Sequence, residues 1–448
     1  MLSSAELYPL VQVWLQTMGV APHAPALAAV ARLVTALLVG QSLRPSALMR
    51  ALLSPTPVPA RQRSKRVARA WTRRWLSPEW LPPRLVRTAL ALVAPDPAGP
   101  PTAGLTHVAL DSVRCGPWEV FTAGVVWHGR VLPVGWAVLP YPWPKGQFTP
   151  LACALGRRVA AGWPAARPAH LVADRGFPSR PLFQTLRQVR WGWTVRLRAS
   201  LHVTVGGQPQ PVRARLAAAR LSGWTAVAAQ YGLGAATVAG TLVVGRGLVV
   251  LPWHQRDAGS LRHRARQRRE RAHQRHAQRP RRPGPGRPPR AETDSWVVLF
   301  TSHGTWRAAA ASSRRRWAAE GSYRDAQSGW DGQHGWDLEA VAARLPAGAP
   351  VAQVVGLWAL GTVVQTWVGH QAGLCAAPAP VRRLSREWTT TGRLSVWARG
   401  RLALTEPSGR WREWLGATLA AGAQAIAAAP PLPGAARPAR RPPNTLAA

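Results

Sequence analysis

Three carboxylates stand out in a chain of 448 residues that contains only 18 aspartates and glutamates. Asp111 follows the apolar run HVAL, where a buried carboxylate is costly unless it has a partner or a metal. Asp174 ends the run HLVA, and Glu320 follows three consecutive arginines. Mg²⁺ prefers oxygen ligands, and two such ions about 4 Å apart can activate an attacking oxygen and stabilise a leaving one. The three acids are therefore candidates for metal-dependent phosphoryl transfer.

Glu320 has a second interpretation, because an arginine precedes it by one helical turn. The segment from about Thr305 to Gln327 contains good helix formers and no proline, and predicts a helix. One face of this helix collects residues spaced three and four apart, namely Ser313, Arg316, Glu320, Tyr323 and Gln327. Arg316 could bind a phosphate or steady the carboxylate. Alternatively, Arg316 and Glu320 form a surface ion pair worth a few tenths of a kcal/mol.

The sequence contains few motifs that would support other kinds of catalysis. The twelve histidines form no HxxxH or HxH motif, and the cysteines Cys115, Cys153 and Cys375 are isolated from one another. These patterns argue against a zinc hydrolase, and the lack of a GxxxxGK[ST] motif argues against an ATPase. Isolated cysteines and the absence of a secretory signal at the start of the sequence indicate a cytoplasmic location.

The charge balance predicts a polyanionic partner. The chain carries 58 lysines and arginines against 18 acids, a net charge of +40. Abundant Arg, Ala, Pro, Gly and Trp indicate a compositional bias that accounts for part of the arginine excess, but not for the shortage of acids. A nucleic acid is the expected partner.

Changes in texture divide the chain into five predicted regions. Residues 1–95 read as helical and include the basic stretch RQRSKRVARAWTRRWL, in which Arg63, Lys65 and Arg66 are candidate DNA contacts. Residues 104–199 read as a three-stranded antiparallel meander followed by alternating helix and strand, an α/β order. The remaining regions are a β-rich stretch at 200–302 with a disordered basic loop at 254–293, a helical part at 303–370 and a C-terminal part at 371–448 with a flexible tail. The apolar segment 351–370 contains glutamines and a histidine and predicts a buried helix.

Three stretches together resemble a known family. LDSV around Asp111, VADRGFPS around Asp174 and RRRWAAEGSYRDAQ around Glu320 resemble the DDE transposases of bacterial insertion sequences. The similarity is to the group whose third acid lies in a Tyr-x2-Arg-x3-Glu-x6-Lys signature. It implies an α/β fold with a ribonuclease-H-like core, a β-rich insertion between the second and third acids, and an N-terminal helical domain.

The resemblance also implies roles for residues. Asp111, Asp174 and Glu320 would be catalytic and would hold two Mg²⁺ ions, with Mn²⁺ as a substitute. Arg316 matches the arginine of the signature, whereas Ser313 and Gln327 stand where its tyrosine and lysine are expected. The expected DNA contacts near the acids are Arg175, Arg316, Tyr323, Arg324 and Gln327.

The implied activity is cut-and-paste transposition. The protein would cleave DNA at terminal inverted repeats and join the ends to target DNA, as a homodimer at the bacterial nucleoid. One alternative is a catalytically decayed or repurposed DNA-binding protein of the same fold, and another is a nuclease without strand transfer. Metal-dependent strand cleavage separates the first alternative from the transposase, and joining to target DNA separates the second.

Overall fold

The computed structural model describes residues 3–52, 59–93, 104–144, 146–198, 200–212, 214–215, 224–232, 237–246, 296–326, 336–345, 350–374, 396–405 and 409–430. The predicted basic loop at 254–293 lies outside these residues, as do Gln327 and residues 431–448 of the predicted tail.

The first 95 residues contain the helices that the sequence predicts. They are α1 (Ser4–Thr17), α2 (Ala24–Gly40), α3 (Pro45–Ala51), α4 (Ala60–Trp71) and α5 (Pro82–Leu92). A capping box starts α1, because the Ser3 side chain accepts a hydrogen bond from the Glu6 N–H while the Glu6 carboxylate accepts one from the Ser3 N–H. These helices pack against the sheet and against helices near the end of the chain.

Next comes a meander and then an α/β unit, in the predicted order. Strands β1 (Thr106–Cys115), β2 (Trp118–Trp127) and β3 (Arg130–Pro140) are antiparallel neighbours. Helix α6 (Phe148–Ala161) leads to β4 (Ala169–Ala173), and α7 (Arg180–Gln188) leads to β5 (Gly192–Arg196). β4 is parallel to β1, and β5 is parallel to β4. The fold is therefore mixed α/β.

The β texture after residue 200 belongs to the same sheet. Strands β6 (His202–Val205), β7 (Gln208–Pro211), β8 (Thr225–Tyr231), β9 (Val238–Arg246) and β10 (Trp296–Thr301) extend it to ten strands in the order β3-β2-β1-β4-β5-β10-β9-β8-β6-β7. β10 joins the two halves by pairing antiparallel with both β5 and β9. The stretch predicted as an insertion is thus continuous with the rest of the sheet.

The remaining helices are α8 (Trp306–Arg315), α9 (Trp317–Ala326), α10 (Leu338–Ala342), α11 (Val351–Leu374), α12 (Val396–Thr405) and α13 (Gly409–Ala428). The predicted single helix over 305–327 is wrong in one detail: it is interrupted at Arg316, whose N–H bonds to the Ser313 carbonyl three residues earlier instead of four. The buried helix predicted at 351–370 is confirmed as part of α11. Within the described residues, α11 is the one unbroken helix that is long and apolar enough to cross a membrane. In its apolar segment 89% of the residues are buried inside the protein.

Helices cover both faces of the first five strands. Ala318 and Ala319 of α9 pack on Ala109 of β1 and Val172 of β4. On the other face, the Phe148 ring of α6 lies 4.9 Å from the Phe121 ring of β2. Because side chains alternate along a strand, Asp111 shares the face of Ala109 and points towards α9.

Candidate active site

The two aspartates occupy neighbouring positions on parallel strands. In the register between β1 and β4, Leu110 pairs with Ala173, and Asp111 and Asp174 are the next residues along. Asp174 follows the last residue of β4, while β1 continues beyond Asp111 to Cys115. Both carboxylates therefore lie at the carboxyl end of β4, the edge where open α/β sheets commonly bind ligands.

Glu320 reaches the same region from α9. Its Oε1 accepts a hydrogen bond of 2.8 Å from Arg316 Nη2, and the Arg316 side chain is only 7% exposed. The Arg316 guanidinium also lies 4.7 Å from the centre of the Trp317 ring. Arg316 and Glu320 both act electrostatically on Asp111. The structure thus brings all three predicted acids and the predicted arginine together.

The carboxylate of Asp111 is unfavourably placed in its ionised form. Its pKa is raised from 3.8 to about 6, chiefly by burial and also by the nearby charges of Glu320 and Asp174. The Ser112 N–H, 2.9 Å from Asp111 Oδ1, and the guanidinium of Arg316 act in the opposite direction. Asp174 Oδ1 is buried without a hydrogen-bond partner among the described residues. A buried polar oxygen without a hydrogen-bond partner is costly unless a cation or another donor compensates it.

The residues fit Mg²⁺ by chemistry, although they do not form a finished ligand cluster. The donors are all carboxylate oxygens, and an orphaned buried oxygen on Asp174 is what an absent cation would leave behind. Among the described residues, however, no group of three or more His, Cys, Asp or Glu side chains is arranged to hold a metal. The pairing of Glu320 with Arg316 explains this, since the hydrogen bond turns that carboxylate towards the guanidinium. Asp111 and Asp174 are therefore the best-placed candidate ligands.

Tyr323 is not placed to contact DNA, contrary to the expectation from the sequence. It is 6% exposed, its hydroxyl lies 2.6 Å from Thr122 Oγ1, and the same hydroxyl donates to the Asp111 carbonyl at 3.1 Å. Its ring is parallel to that of Trp358, 6.5 Å away. The face of α9 that carries Tyr323 packs on the sheet. The Tyr323 hydroxyl therefore holds the backbone of Asp111 and does not face solvent.

The other predicted DNA contacts lie in separate places. Arg175 directly follows Asp174 and is exposed beside the carboxylates. On α4, Lys65 and Arg66 are exposed and Arg63 is half-buried, but this helix packs on α2 and α3 and not on the strands of the acids. The side chain of Arg324 lies outside the described part of the structure.

Sequence reasoning missed a buried histidine network. His107 and His170 each precede a site aspartate by four residues, in the similar stretches HVALD and HLVAD. They pair in register, and their rings lie on the face that carries the aspartates. Ser312 Oγ of α8 lies 3.0 Å from His107 Nε2 and 2.9 Å from His303 Nε2. The His303 ring stacks on that of His170 at 4.2 Å. The repeated His-x3-Asp spacing was the available signal.

The network fixes its own protonation. Thr301 donates to the Trp193 carbonyl at 2.9 Å, so the Thr194 hydroxyl, 2.8 Å away, donates to Thr301. His170 Nε2, 2.8 Å from the Thr194 oxygen, must then carry a hydrogen. Burial lowers the pKa of His107 to about 4 and that of His170 to about 2. The imidazoles are neutral at physiological pH and tie α8, and through it Arg316 and Glu320, to the strands of the aspartates.

No protein-family model matches the chain, and a search of the curated proteins finds no similar sequence. The case for a function therefore depends on the placement of the side chains.

Proposed function

We propose that the protein is a DDE transposase that cleaves DNA at transposon ends and transfers the strands to target DNA. One observation carries the proposal. Three acids that are 63 and 146 positions apart in the sequence converge with Arg316 at one end of β4, with one buried carboxylate oxygen unpartnered. Structural acids, in contrast, are expected to be paired or exposed, because an unpaired buried carboxylate costs free energy.

We infer that β1 to β5 form the ribonuclease-H-like core that the resemblance implies. The meander followed by two parallel strands, with helices on both faces, supports this assignment. The strands from β6 to β10 lie between the second and third acids in the sequence, as the expected insertion does.

In the proposed mechanism the chain's own residues hold the metal ions and orient the carboxylates. Asp111, Asp174 and Glu320 would ligate Mg²⁺, which when bound supplies an activated oxygen nucleophile and stabilises the leaving oxygen. Arg316 sets the orientation of Glu320 through their hydrogen bond, and it would give up that carboxylate as the site fills. Tyr323 holds the backbone of Asp111. Arg316 and Tyr323 of this group are buried, whereas Glu320 is 35% exposed and stays open to solvent.

The proposed partners follow from charge. With a net charge of +40, the protein would bind DNA backbones without sequence preference, and Arg175 and the exposed α4 residues Lys65 and Arg66 are placed on the surface to do so. Two DNA ends must be held together for a cut-and-paste reaction, so we propose a homodimer that acts at the nucleoid in the cytoplasm.

A second function has support from a specific observation. The 2.8 Å Arg316–Glu320 pair, together with serine at 313 and glutamine at 327, fits a repurposed DNA-binding protein that no longer cuts. In that protein the ion pair would be the permanent partner of Glu320.

Excision in cells separates the two functions. A marker would be flanked by the DNA that borders the gene, and the protein supplied intact, as Asp174→Ala or as Asp337→Ala. Asp337 is the matched control, because it is an aspartate paired with Ser42 at 2.6 Å and Arg44 at 3.0 Å. We expect excision with the intact protein and with Asp337→Ala, and none with Asp174→Ala. Absence of excision in all three, with the ends still bound in a gel shift, would contradict the transposase and favour the second function.

A further inference from the structure

We infer that the turn between β2 and β3, together with adjoining parts of α8, α11 and α12, forms a phosphate-binding site for the DNA backbone. His128, His370, Arg315 and Arg399 make up this site, which we call the distal cation cluster. The identity of its ligand rests on the proposed function, but its geometry does not.

The turn carries an unusual residue for its backbone. His128 and Gly129 both have positive φ, +47° and +74°, as a two-residue turn between antiparallel strands requires. Asparagine, aspartate and glycine are the usual residues at the first of these positions, and histidine also adopts positive φ more often than most side chains do. The exposed His128 is nevertheless held there with its ring stacked on that of His370, 4.3 Å away and 21° from parallel. The turn therefore presents the His128 imidazole beside that of His370.

The crossing of α11 and α12 places the other two members side by side. A Cβ atom at Gly369 would overlap a backbone oxygen of α12, and one at Gly400 would overlap a backbone oxygen of α11. The two helices therefore touch backbone to backbone at these glycines. His370 and Arg399 are the next residues outward on each helix, and the crossing presents them together beside the turn.

Among the described residues, the charged groups that act on the two rings of the cluster are arginines. The pKa of His370 falls to about 4 through burial, then through His128 and Arg399, while the pKa of His128 is lowered by burial and by Arg399 and Arg315. No carboxylate is among the groups that act on either ring within the described residues. Arg399 Nε is buried without a hydrogen-bond partner there. Two arginines beside two imidazoles that can each take up a proton, with one guanidinium N–H left without an acceptor among the described residues, are suited to an anion.

Distance favours DNA as the source of that anion. Thr122 pairs with Asp111, and His128 lies six residues further along the hairpin, about 20 Å at 3.3 Å per residue. A duplex advances about 3.4 Å per base pair, so it presents phosphates to both places about six base pairs apart. The turn lies beyond the start of β1, at the opposite end of this strand from the carboxylates, and Arg315 at the end of α8 immediately precedes Arg316. A duplex that lies along the strand direction would reach both sites.

Binding to DNA is measured without catalysis, as fluorescence anisotropy of a labelled 30-base-pair duplex of arbitrary sequence in EDTA. Each variant is first checked for native circular dichroism. Arg315→Gln and Arg399→Gln should each weaken binding and reduce the slope of log affinity against log salt by about one. Arg315 is exposed, so its replacement leaves the fold intact even if Arg399→Gln does not. The matched control is Arg187→Gln, an exposed arginine of α7 on the opposite face, which should leave the slope unchanged.

A pH comparison gives a second readout. An anion raises the pKa of the neutral histidines, so DNA binding should take up protons and strengthen as pH falls. If the bound rings return to an ordinary pKa of about 6.5, affinity rises about tenfold per histidine from pH 7.5 to 5.5. The double variant His128→Gln, His370→Gln should lose this part of the pH dependence. A salt slope and a pH dependence that stay unchanged in these variants, while the intact chain binds DNA, would overturn the cluster alone. Failure of the intact chain to bind DNA would overturn both the cluster and the proposed function.

Discussion

Replacing Asp111 with asparagine should stabilise the metal-free protein while abolishing its proposed activity. The pKa of this carboxyl is raised from 3.8 to about 6, which corresponds to about 3 kcal/mol of strain in the ionised form at neutral pH. Asparagine is nearly isosteric and its oxygen can still accept the 2.9 Å hydrogen bond from the Ser112 N–H. Its amide needs an acceptor, and the unpartnered Asp174 Oδ1 of the neighbouring strand position is available. After desolvation of the amide, we expect a net gain of about 2 kcal/mol.

The sign of the pH dependence is a further constraint. Because the pKa of Asp111 in the folded protein is raised, its ionisation costs stability as pH rises through about 6. The net advantage of Asp111→Asn should therefore be about 2 kcal/mol above pH 7, fall to about 0.6 kcal/mol at pH 5 and change sign between about pH 5 and pH 4.

Urea unfolding followed by tryptophan fluorescence measures these differences, with EDTA and then with Mg²⁺. Mg²⁺ should stabilise the intact chain and leave Asp111→Asn unchanged, since binding to the folded state alone shifts its stability. The control is Asp337→Asn, which breaks a partly exposed pair with Arg44 and should lose up to about 1 kcal/mol. Destabilisation by Asp111→Asn in EDTA would refute the reasoning, because it would mean that the carboxylate is already satisfied by the protein.

Three further predictions concern the groups that hold the site. Ser312→Ala should lower the free energy of unfolding by about 1–3 kcal/mol, because the His107 and His303 ring nitrogens lose their partner. The control Ser313→Ala, at a half-buried neighbouring position, should change it by less than about 0.5 kcal/mol. Equal effects of the two substitutions in urea unfolding would contradict the network. His107 and His170 have lowered pKa values, so the stability that they contribute is present above about pH 6.5 and is lost as pH falls. Each histidine should lower the free energy of unfolding by about 1.4 kcal/mol between pH 7.5 and pH 5.5. His170→Gln should remove the part of this pH-dependent loss that His170 causes. Tyr323→Phe should cost about 1 kcal/mol and lower excision without weakening DNA binding in a gel shift, and weakened binding would return Tyr323 to the DNA-contacting set.

Local pattern in the sequence was sufficient to predict β1 to β5, the helical start of the chain and the buried helix at 351–370, and to single out the three acids. β1 to β5 and the helices before them follow the periodic spacing of apolar residues, a pattern that extends over only a few neighbouring residues. Asp111 and Asp174 were recognisable because a carboxylate after an apolar run is unusual in any context. Glu320 was recognisable because acids are scarce in this chain, so each carboxylate could be considered individually.

Tertiary structure alone decided which side chains meet. The face of α9 that carries Tyr323 packs on the sheet, so the Tyr323 hydroxyl donates to the Asp111 carbonyl, an outcome that helical spacing cannot distinguish from its opposite. The strands after residue 200 joined the first sheet through β10, a choice of partner that pairing over long sequence separations determines. His128 and Arg399 are 271 positions apart and become neighbours only where two glycines let α11 and α12 touch. The sequence determined which groups could do chemistry, because side-chain type and local period are local properties; their juxtaposition was left to the packing of distant elements.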